Sequence, residues 1–599
     1  MSSGDVEVAQ PTNALANEQE QVTLSWDDVS FVTGKAQTQL LHAVSGQVSS
    51  GELLAVLGPS GAGKSTFLDV ISRRKPVSTG TIALNGDRDF DPAEVMSYVE
   101  QDDALLGVLT IDERVDGTLA SLGLAGVAEN RIGTPIQRGI SGGQRRRVTL
   151  ACSVVVHPRV LILDEVTSGL DSVAAREVIS AVKRVAKETK AAVVCTIHQP
   201  SYDTLALFDK VTFLAQGRTV FSGAPQEIAP YLSRHLNFDV PSFANPADRM
   251  MDLLNQDFES TRGALTPLDF AEKWNQFHPQ SKDEHETTSS KASVRGVGLL
   301  CKTQLFSLPS VINSLSQTYT LCHRNLLNYS RNLLAFGVRL AMYAGMGLLV
   351  ATIWLHLPQT DAAINDRLSV LFYGVAFLSF MSVAGIPAFL EERALFLRER
   401  RNGLYGPVPF VVANSLVSAP FMLLASLLFT VIAYWAVPLR GGARVWFRFV
   451  ATLFVSVYIA ETQSILIASV VPIFVAALAL TAFANGLWMS VQGYFIRLPQ
   501  MPGFWRSWVH YIDYETWSWQ LLVANEFRGV DFSCRTVNDV CSCQFAPASS
   551  GSSCAIAGQD VLEVLGIGGT NMGQAFGILI AIMMVYRVLL LLAVTFKRR

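Results

Sequence analysis

The chain has 599 residues, enough for several domains; half of them are apolar and only 16% are Asp, Glu, Lys or Arg. Soluble domains carry about 25% charge, so this deficit, with a mean hydropathy of +0.31, speaks against a wholly soluble protein and for lipid-embedded segments. A net charge of −3 and a pI near 6.3 give no basis for a nucleic-acid partner, and none is expected.

Residues 1–21, MSSGDVEVAQPTNALANEQEQ, are polar and acidic and read as a disordered tail. They lack the basic and apolar regions of a cleaved signal peptide, so the domain that follows is expected to remain in the cytosol. Between residues 22 and 277, short β-branched runs alternate with helical stretches. ELLAVLG (52–58), VLILD (160–164) and AAVVCTI (191–197) have the length and apolarity of strands buried in a helix-flanked sheet. A linker over 278–308 begins HPQSKDEHETTSSKASVRG, polar and poor in aromatics. An amphipathic connecting helix is expected over 309–332, along the cytosolic membrane face.

The remainder, 333–599, reads as a membrane domain. Six candidate spans fall near 333–356, 368–389, 410–436, 446–471, 473–496 and 572–595, each close to the roughly 20 residues that cross a hydrocarbon core. Only the break around Pro472 separates the fourth from the fifth. The predicted fold class is therefore an α/β P-loop nucleotide-binding domain followed by an all-α six-helix transmembrane domain. The loop EERALFLRERRNGLYG (391–406) and the ending Lys597-Arg598-Arg599 are basic, which places both on the cytosolic side. An extracellular loop over about 497–571 then carries Cys534, Cys541, Cys543 and Cys554. Disulfides suit that compartment and three pairings are open; a zinc site is the weaker alternative, since no His lies among these cysteines.

GPSGAGKS (58–65) fits the phosphate-binding loop G-x-x-x-x-G-K-[ST] and sits between an apolar strand and a helical stretch, the setting that motif requires. Gly58, Pro59, Ser60, Gly61, Ala62, Gly63 and Thr66 are expected to wrap the phosphates of ATP with backbone N–H groups. Lys64 adds a point charge and Ser65 a ligand for Mg2+. In VLILDEVTSGLD (160–171), Asp164 ends a buried strand where it can hold Mg2+, and Glu165 is placed to act as general base on the attacking water.

Four further motifs in order bring a family into view. YVEQDD (98–103), ISGGQRRR (140–147), SGLD (168–171) and TIHQP (196–200) resemble the Q-loop, signature, D-loop and switch-histidine motifs of ABC transporters. The resemblance implies a RecA-like core with β and α subdomains. It gives Gln101 a bridging contact to Mg2+, and gives Ser141, Gly142, Gly143 and Gln144 contacts to ATP held by a second subunit. Asp171 joins that interface, and His198 senses the γ-phosphate. Phe31, ahead of the phosphate loop, is a candidate for stacking on adenine, with core packing as the equal alternative. Val166 stands where the family has proline after the catalytic Glu. The stretch 102–140 is shorter than the family's helical subdomain, through a reduced subdomain or a gap in the gene model.

Cassette before membrane domain is the order of the G subfamily of White-like half-transporters. NPADRMMD (245–252), ERALFLRERRNGLY (392–405) and the segment 493–529 are similar to it as well. AETQSILIASVVP (460–472) with GYFIRLP resembles the plant cuticular-lipid branch. The resemblance implies a homodimer or heterodimer in the plasma membrane, cassette and both termini cytosolic, that hydrolyses ATP to export lipids, sterols or other hydrophobic compounds. The competing reading is a non-transporting regulatory ATPase or a weakly active partner subunit. Matching motifs places Phe380, Met489, Tyr494 and Phe495 at a substrate pocket and plug, against ordinary helix packing. Three charges fall within the spans. Arg339 is expected to snorkel, and Glu461 and Arg587 to find structural partners rather than to form an ion path.

Overall fold

Residues 21–34, 38–101, 105–106, 109, 122–133, 139–241, 244–255, 266–277, 308–332, 336–537, 540–543 and 554–596 are described by the computed structural model. Most of the tail, the linker and the shortened stretch 102–140 lie outside the described residues. The chain divides into two units, residues 1–296 with Arg401–Gly403, and residues 297–400 with 404–599.

The first unit is built on two sheets. Strands β1 (Thr23–Val32), β2 (Gln39–Ser49) and β4 (Thr79–Leu84) form an antiparallel sheet in the order β2-β1-β4. Strand β3 (Leu53–Leu57) sits inside a six-stranded sheet with β5 (Met96–Val99), β6 (Val160–Leu163), β7 (Ala192–Thr196), β8 (Lys210–Ala215) and β9 (Arg218–Gly223), in the order β5-β6-β7-β3-β8-β9. All pairings of that sheet are parallel except β8 with β9. Every residue of β3, β5, β6 and β7 is buried, as expected of a sheet covered on both faces. Helices α1 (Lys64–Ile71), α2 (Gly142–Val154) and α3 (Ser172–Thr189) follow β3, the signature residues and β6. The functional loops thus gather at the carboxyl ends of parallel strands, where open α/β sheets place their ligands.

The second unit is helical. An entry helix, α4 (Leu308–Arg331), precedes α5 (Val338–Ile353), α6 (Ile364–Phe380), α7 (Ile386–Arg401), α8 (Pro407–Ala436), α9 (Ala443–Val470), α10 (Phe474–Val491), α11 (Tyr514–Phe527) and α12 (Met572–Phe596). Pro407 opens α8, where its missing N–H costs nothing. Gly442, with φ at 126°, precedes α9, and Pro472 falls in the three-residue break before α10. Among the described residues, five segments are long and apolar enough to cross a membrane, and α5 is a shorter apolar helix. In α9, 78% of the most apolar window is buried, against 17% in α12, so α9 is the axis of the bundle and α12 lies outside.

One boundary differs from expectation. The helix that carries the second span does not stop at residue 389: Asp361–Arg401 runs on as a single helical segment of 41 residues with a 3-10 stretch at Met381–Gly385. The charged residues 391–401, read above as loop, stay helical because other helices satisfy them. Arg324 pairs with Glu399 at 2.9 Å, and Asn328 and Asn414 donate to the two oxygens of Glu392 at 3.3 and 3.4 Å. Helix α11 is also buried at every residue but Trp517. Beyond it, Asp531–Ser533 pairs with Ala555–Ala557 and Arg535–Val537 with Val540–Ser542. Cys534 and Cys543 are joined in a disulfide, and Cys554 is disulfide-bonded too.

Candidate functional site: a nucleotide cassette

The phosphate loop begins where β3 meets β8. A Cβ on Gly58 would lie 2.2 Å from the carbonyl oxygen of Leu214, so only glycine allows this approach. Gly61 and Gly63 take φ values of 77° and 95°, a left-handed backbone that glycine adopts without strain. Gly63 then caps α1 and directs the free N–H groups of the first turn into the loop. Pro59, Ser60, Ala62 and Thr66 complete the curve. Lys64, 7% exposed, folds back to donate from Nζ to the carbonyls of Gly58 and Pro59 at 2.7 and 3.0 Å. Burial holds its ammonium below the usual lysine range, against the upward pull of Glu165 and Asp164.

Across the loop stands Asp164, at the end of β6. Its carboxylate accepts from Ser65 Oγ at 3.3 Å, Tyr98 Oη at 3.2 Å and Thr196 Oγ1 at 2.7 Å. A hydroxyl and a carboxylate at this separation are the hard oxygen donors that Mg2+ takes, and the buried Lys64 ammonium suits a phosphate. The residues therefore fit ATP with Mg2+. Gln101 Nε2 donates to Glu165 Oε2 at 3.0 Å, bringing the Q-loop residue to the acidic pair. Glu165 has φ of 47°, a strained conformation for a non-glycine residue. Its N–H donates to Thr196 Oγ1 at 2.8 Å. Val166 is 3% exposed and packs into the core below.

Two residues of this centre went unassigned in the sequence. Thr196 joins Asp164 and Glu165 through one hydroxyl, and Tyr98 caps Asp164. Burial, then the charge of Asp164, pushes the Tyr98 phenol above its usual range, which keeps it a hydrogen donor. Both stand within quoted motifs, TIHQP and YVEQDD; a polar side chain ending an apolar strand was the signal. Arg146, in the signature helix, donates to the backbone carbonyls of Glu100 and Gln101 and so positions the Q-loop.

The signature residues form a separate surface. Ser141 caps α2 and accepts from Gln144 N at 3.3 Å, while Gln144 Oε1 accepts from Ser141 N at 2.9 Å. Ser141 and Gly142 are exposed and Gly143 is buried, its Cβ position 3.2 Å from Ala174 in α3. Asp171 caps α3 by accepting from Ala174 N at 2.7 Å. His198 is exposed and lines a cavity of about 510 Å3 with Thr167, Ser172, Asp248 and Asp252. Phe31 is 9% exposed and belongs to the core that includes β1, with Lys75 Nζ 5.8 Å from its ring centre.

Comparison with known proteins agrees with this geometry. Residues 41–168 match the family described as ABC transporter, and residues 316–527 and 198–276 match two families described as ABC-2 type transporter. Over 584 residues the chain is 33% identical to ABC transporter G family member 11 of Arabidopsis thaliana, covering 90% of this chain and 80% of that protein. The chain belongs to the ABC transporter G family. It is also 33% identical over 549 residues to ABC transporter G family member 1 of Petunia hybrida (85% of this chain, 84% of that one). Against member 13 of Arabidopsis thaliana, identity is 31% over 571 residues, or 85% and 83% of the two chains. As a G-family half-transporter the chain is a multi-pass membrane protein whose ATP hydrolysis is coupled to transport. Its family typically pairs with a second half-transporter.

Within this G-family membrane unit, the pocket candidates separate into two groups. Tyr494 stacks on Phe372 at 4.5 Å and shares a 2.7 Å hydrogen bond with Ser369, and Phe495 meets Phe372 edge-on at 5.0 Å. Met489 packs beside the same core. Phe380, by contrast, is 41% exposed in the last turn of α6. The buried charges also require one correction. Arg339 does not snorkel; it is 3% exposed and ion-paired with Glu461, itself 2% exposed. The pairing of Arg367 with Glu526, at 2.5 Å, was not foreseen. Arg587 lies over the Tyr458 ring at 4.4 Å, its three guanidinium nitrogens buried without a hydrogen-bond partner among the described residues.

Proposed function

We propose that the chain pairs with a second half-transporter, identical or different, and that the dimer exports lipids, sterols or other hydrophobic compounds across the plasma membrane at the expense of ATP. The observation that carries the dimer is the exposed signature turn. Ser141 and Gln144 bond each other, and among the described hydrogen bonds none links them to residues 58–66. A phosphate cradled by Lys64 of one subunit therefore needs Ser141, Gly142 and Gly143 of another to enclose it.

In this reading residues 58–66 hold the phosphates of ATP, Phe31 contacts the base, and Ser65, Asp164 and Gln101 hold Mg2+. When bound, the ion supplies charge neutralisation at the phosphate oxygens. Glu165 accepts the proton of the attacking water, oriented by Thr196 at its backbone and by Gln101 at its carboxylate. His198 and Asp171 face the partner's nucleotide. Arg393, Arg398, Arg400 and Arg401 support a cytosolic cassette, and the Cys534–Cys543 disulfide supports an oxidising opposite face. Phe380, Met489, Tyr494 and Phe495 form the apolar path for cargo, and the likeness to plant relatives supports a lipidic one.

The test is reconstitution of the purified chain in vesicles, alone and with candidate partners. Cargo-stimulated phosphate release and cargo movement are expected, with Glu165→Gln lowering release by about 10^2–10^4-fold while ATP still binds. Hydrolysis only in mixed vesicles would assign a heterodimer. Hydrolysis without cargo movement under every pairing would overturn the transport reading.

A further inference from the structure

A second cavity lies in the helical unit, with a lining distinct from the aromatic cluster at Tyr494. It has a volume of about 560 Å3 and is lined by Arg440, Arg448, Ala524, Asn525, Arg528, Asn571 and Met572. Four segments converge there: the turn between α8 and α9, the second turn of α9, the carboxyl end of α11 and the amino end of α12. Three of the seven lining residues are arginines and none is acidic.

The arginines are held without being neutralised. Arg440 Nη1 donates to the carbonyl of Asn525 at 3.1 Å, Arg528 Nη2 donates to the carbonyl of Thr570, and Arg448 Nη1 lies 3.9 Å from the sulfur of Met572. Among the described residues none of the three forms an ion pair. Glu526, whose charge also acts on Arg440, is engaged by Arg367 Nη1 at 2.5 Å and by the backbone N–H of Arg440 at 2.8 Å. Each guanidinium carries five N–H donors in a planar fork, so most of that capacity is left for a ligand. Asn571 does not compete, because its Oδ1 already caps α12 through Gly573 N and Gln574 N at 3.0 and 3.3 Å.

The position defines the ligand further. The cavity sits where α8 ends and α9 and α12 begin, about 45 Å along α8 from Pro407 at 1.5 Å per residue. That is the interfacial level of a spanning bundle. Trp435 and Phe447, both 64% exposed, belong to the same two helix ends, as aromatic residues at a membrane–water boundary do. Guanidinium forks match phosphate and carboxylate oxygens, and the volume is that of a small-molecule site. We propose that this cavity binds the anionic head, phosphate or carboxylate, of an amphiphile whose chains lie in the adjoining leaflet. The site is independent of the cargo reading above.

The protein in nanodiscs of phosphatidylcholine tests this with spin-labelled lipids. Labelled phosphatidic acid and labelled stearate should each associate in preference to labelled phosphatidylcholine. Arg448 is exposed and makes only the sulfur contact, so Arg448→Gln should fold; unchanged thermal unfolding and ATP hydrolysis in detergent would verify that. It should lower the anionic preference about fivefold, the effect of one basic residue near a charged lipid. Arg448→Gln with Arg528→Gln should abolish it, and Arg448→Lys should retain part of it. Selectivity for phosphatidic acid without stearate, or the reverse, would assign phosphate or carboxylate as the head recognised. No preference in the wild type, a preference unchanged in the double variant, or displacement of the label by soluble inorganic phosphate would each overturn the proposal.

Discussion

Lys64 and Asp164 in the cassette are 7% and 9% exposed, and Arg339 and Glu461 in the helical bundle are 3% and 2%; burial alone does not distinguish the two regions. Their partners do. Lys64 bonds two backbone carbonyls and Asp164 three hydroxyls, so neither forms an ion pair among the described residues. Arg339 and Glu461 neutralise each other, as do Arg367 and Glu526. A buried charge left without an ion-pair partner is costly, and the cassette accepts that cost where magnesium and phosphate would supply the missing charge. In the bundle these two pairs close on themselves.

Five variants probe that contrast. Glu461→Ala should destabilise the bundle most, by about 3–5 kcal/mol, because it strands a buried guanidinium; denaturant titration in detergent measures it. Arg339→Met with Glu461→Leu should recover most of that loss, which a role in ion conduction would not allow. Replacing Cys534 and Cys543 by serine opens a loop with a sequence separation of 9 and should cost about 2–3 kcal/mol. Thr196→Val removes the hydroxyl shared by Asp164 and Glu165; a loss of about 1–3 kcal/mol is expected in the thermal unfolding of the cassette. ATP turnover should fall with it, since Glu165 loses its backbone anchor. Arg587→Met should change least, by about 1 kcal/mol, the size of one cation–π contact. A loss as large as that of Glu461→Ala would place Arg587 inside the charge network.

The cassette was legible because its chemistry is local. Residues 58–66 are consecutive, and Asp164 and Glu165 share one strand end, so the motifs already grouped side chains that the fold brings together. The Arg367–Glu526 pair, separated by 159 positions, has no comparable signature, since each half reads as an isolated charge until the helices are packed. Hydropathy missed the helical continuation beyond the second span for a related reason. It registers the charges at 391–401 but not Arg324, Asn328 and Asn414, which come from α4 and α8 to satisfy them. Glycine in the phosphate loop was predictable from the motif. The left-handed backbone of Glu165 was not, because Thr196, which holds it, lies 31 residues away.

The unbroken run Asp361–Arg401 has a mechanical consequence. At about 1.5 Å per residue, its 41 residues make a rod close to 60 Å long, so a tilt imposed at one end must appear at the other unless the rod bends. Tighter winding within a long helix marks a place where bending is easiest, and here it occupies Met381–Gly385. Gly385 lies against Glu461, with 3.1 Å between its Cβ position and the carboxylate. The fulcrum of the lever therefore rests on the Arg339–Glu461 pair, and a larger residue at 385 would jam it there.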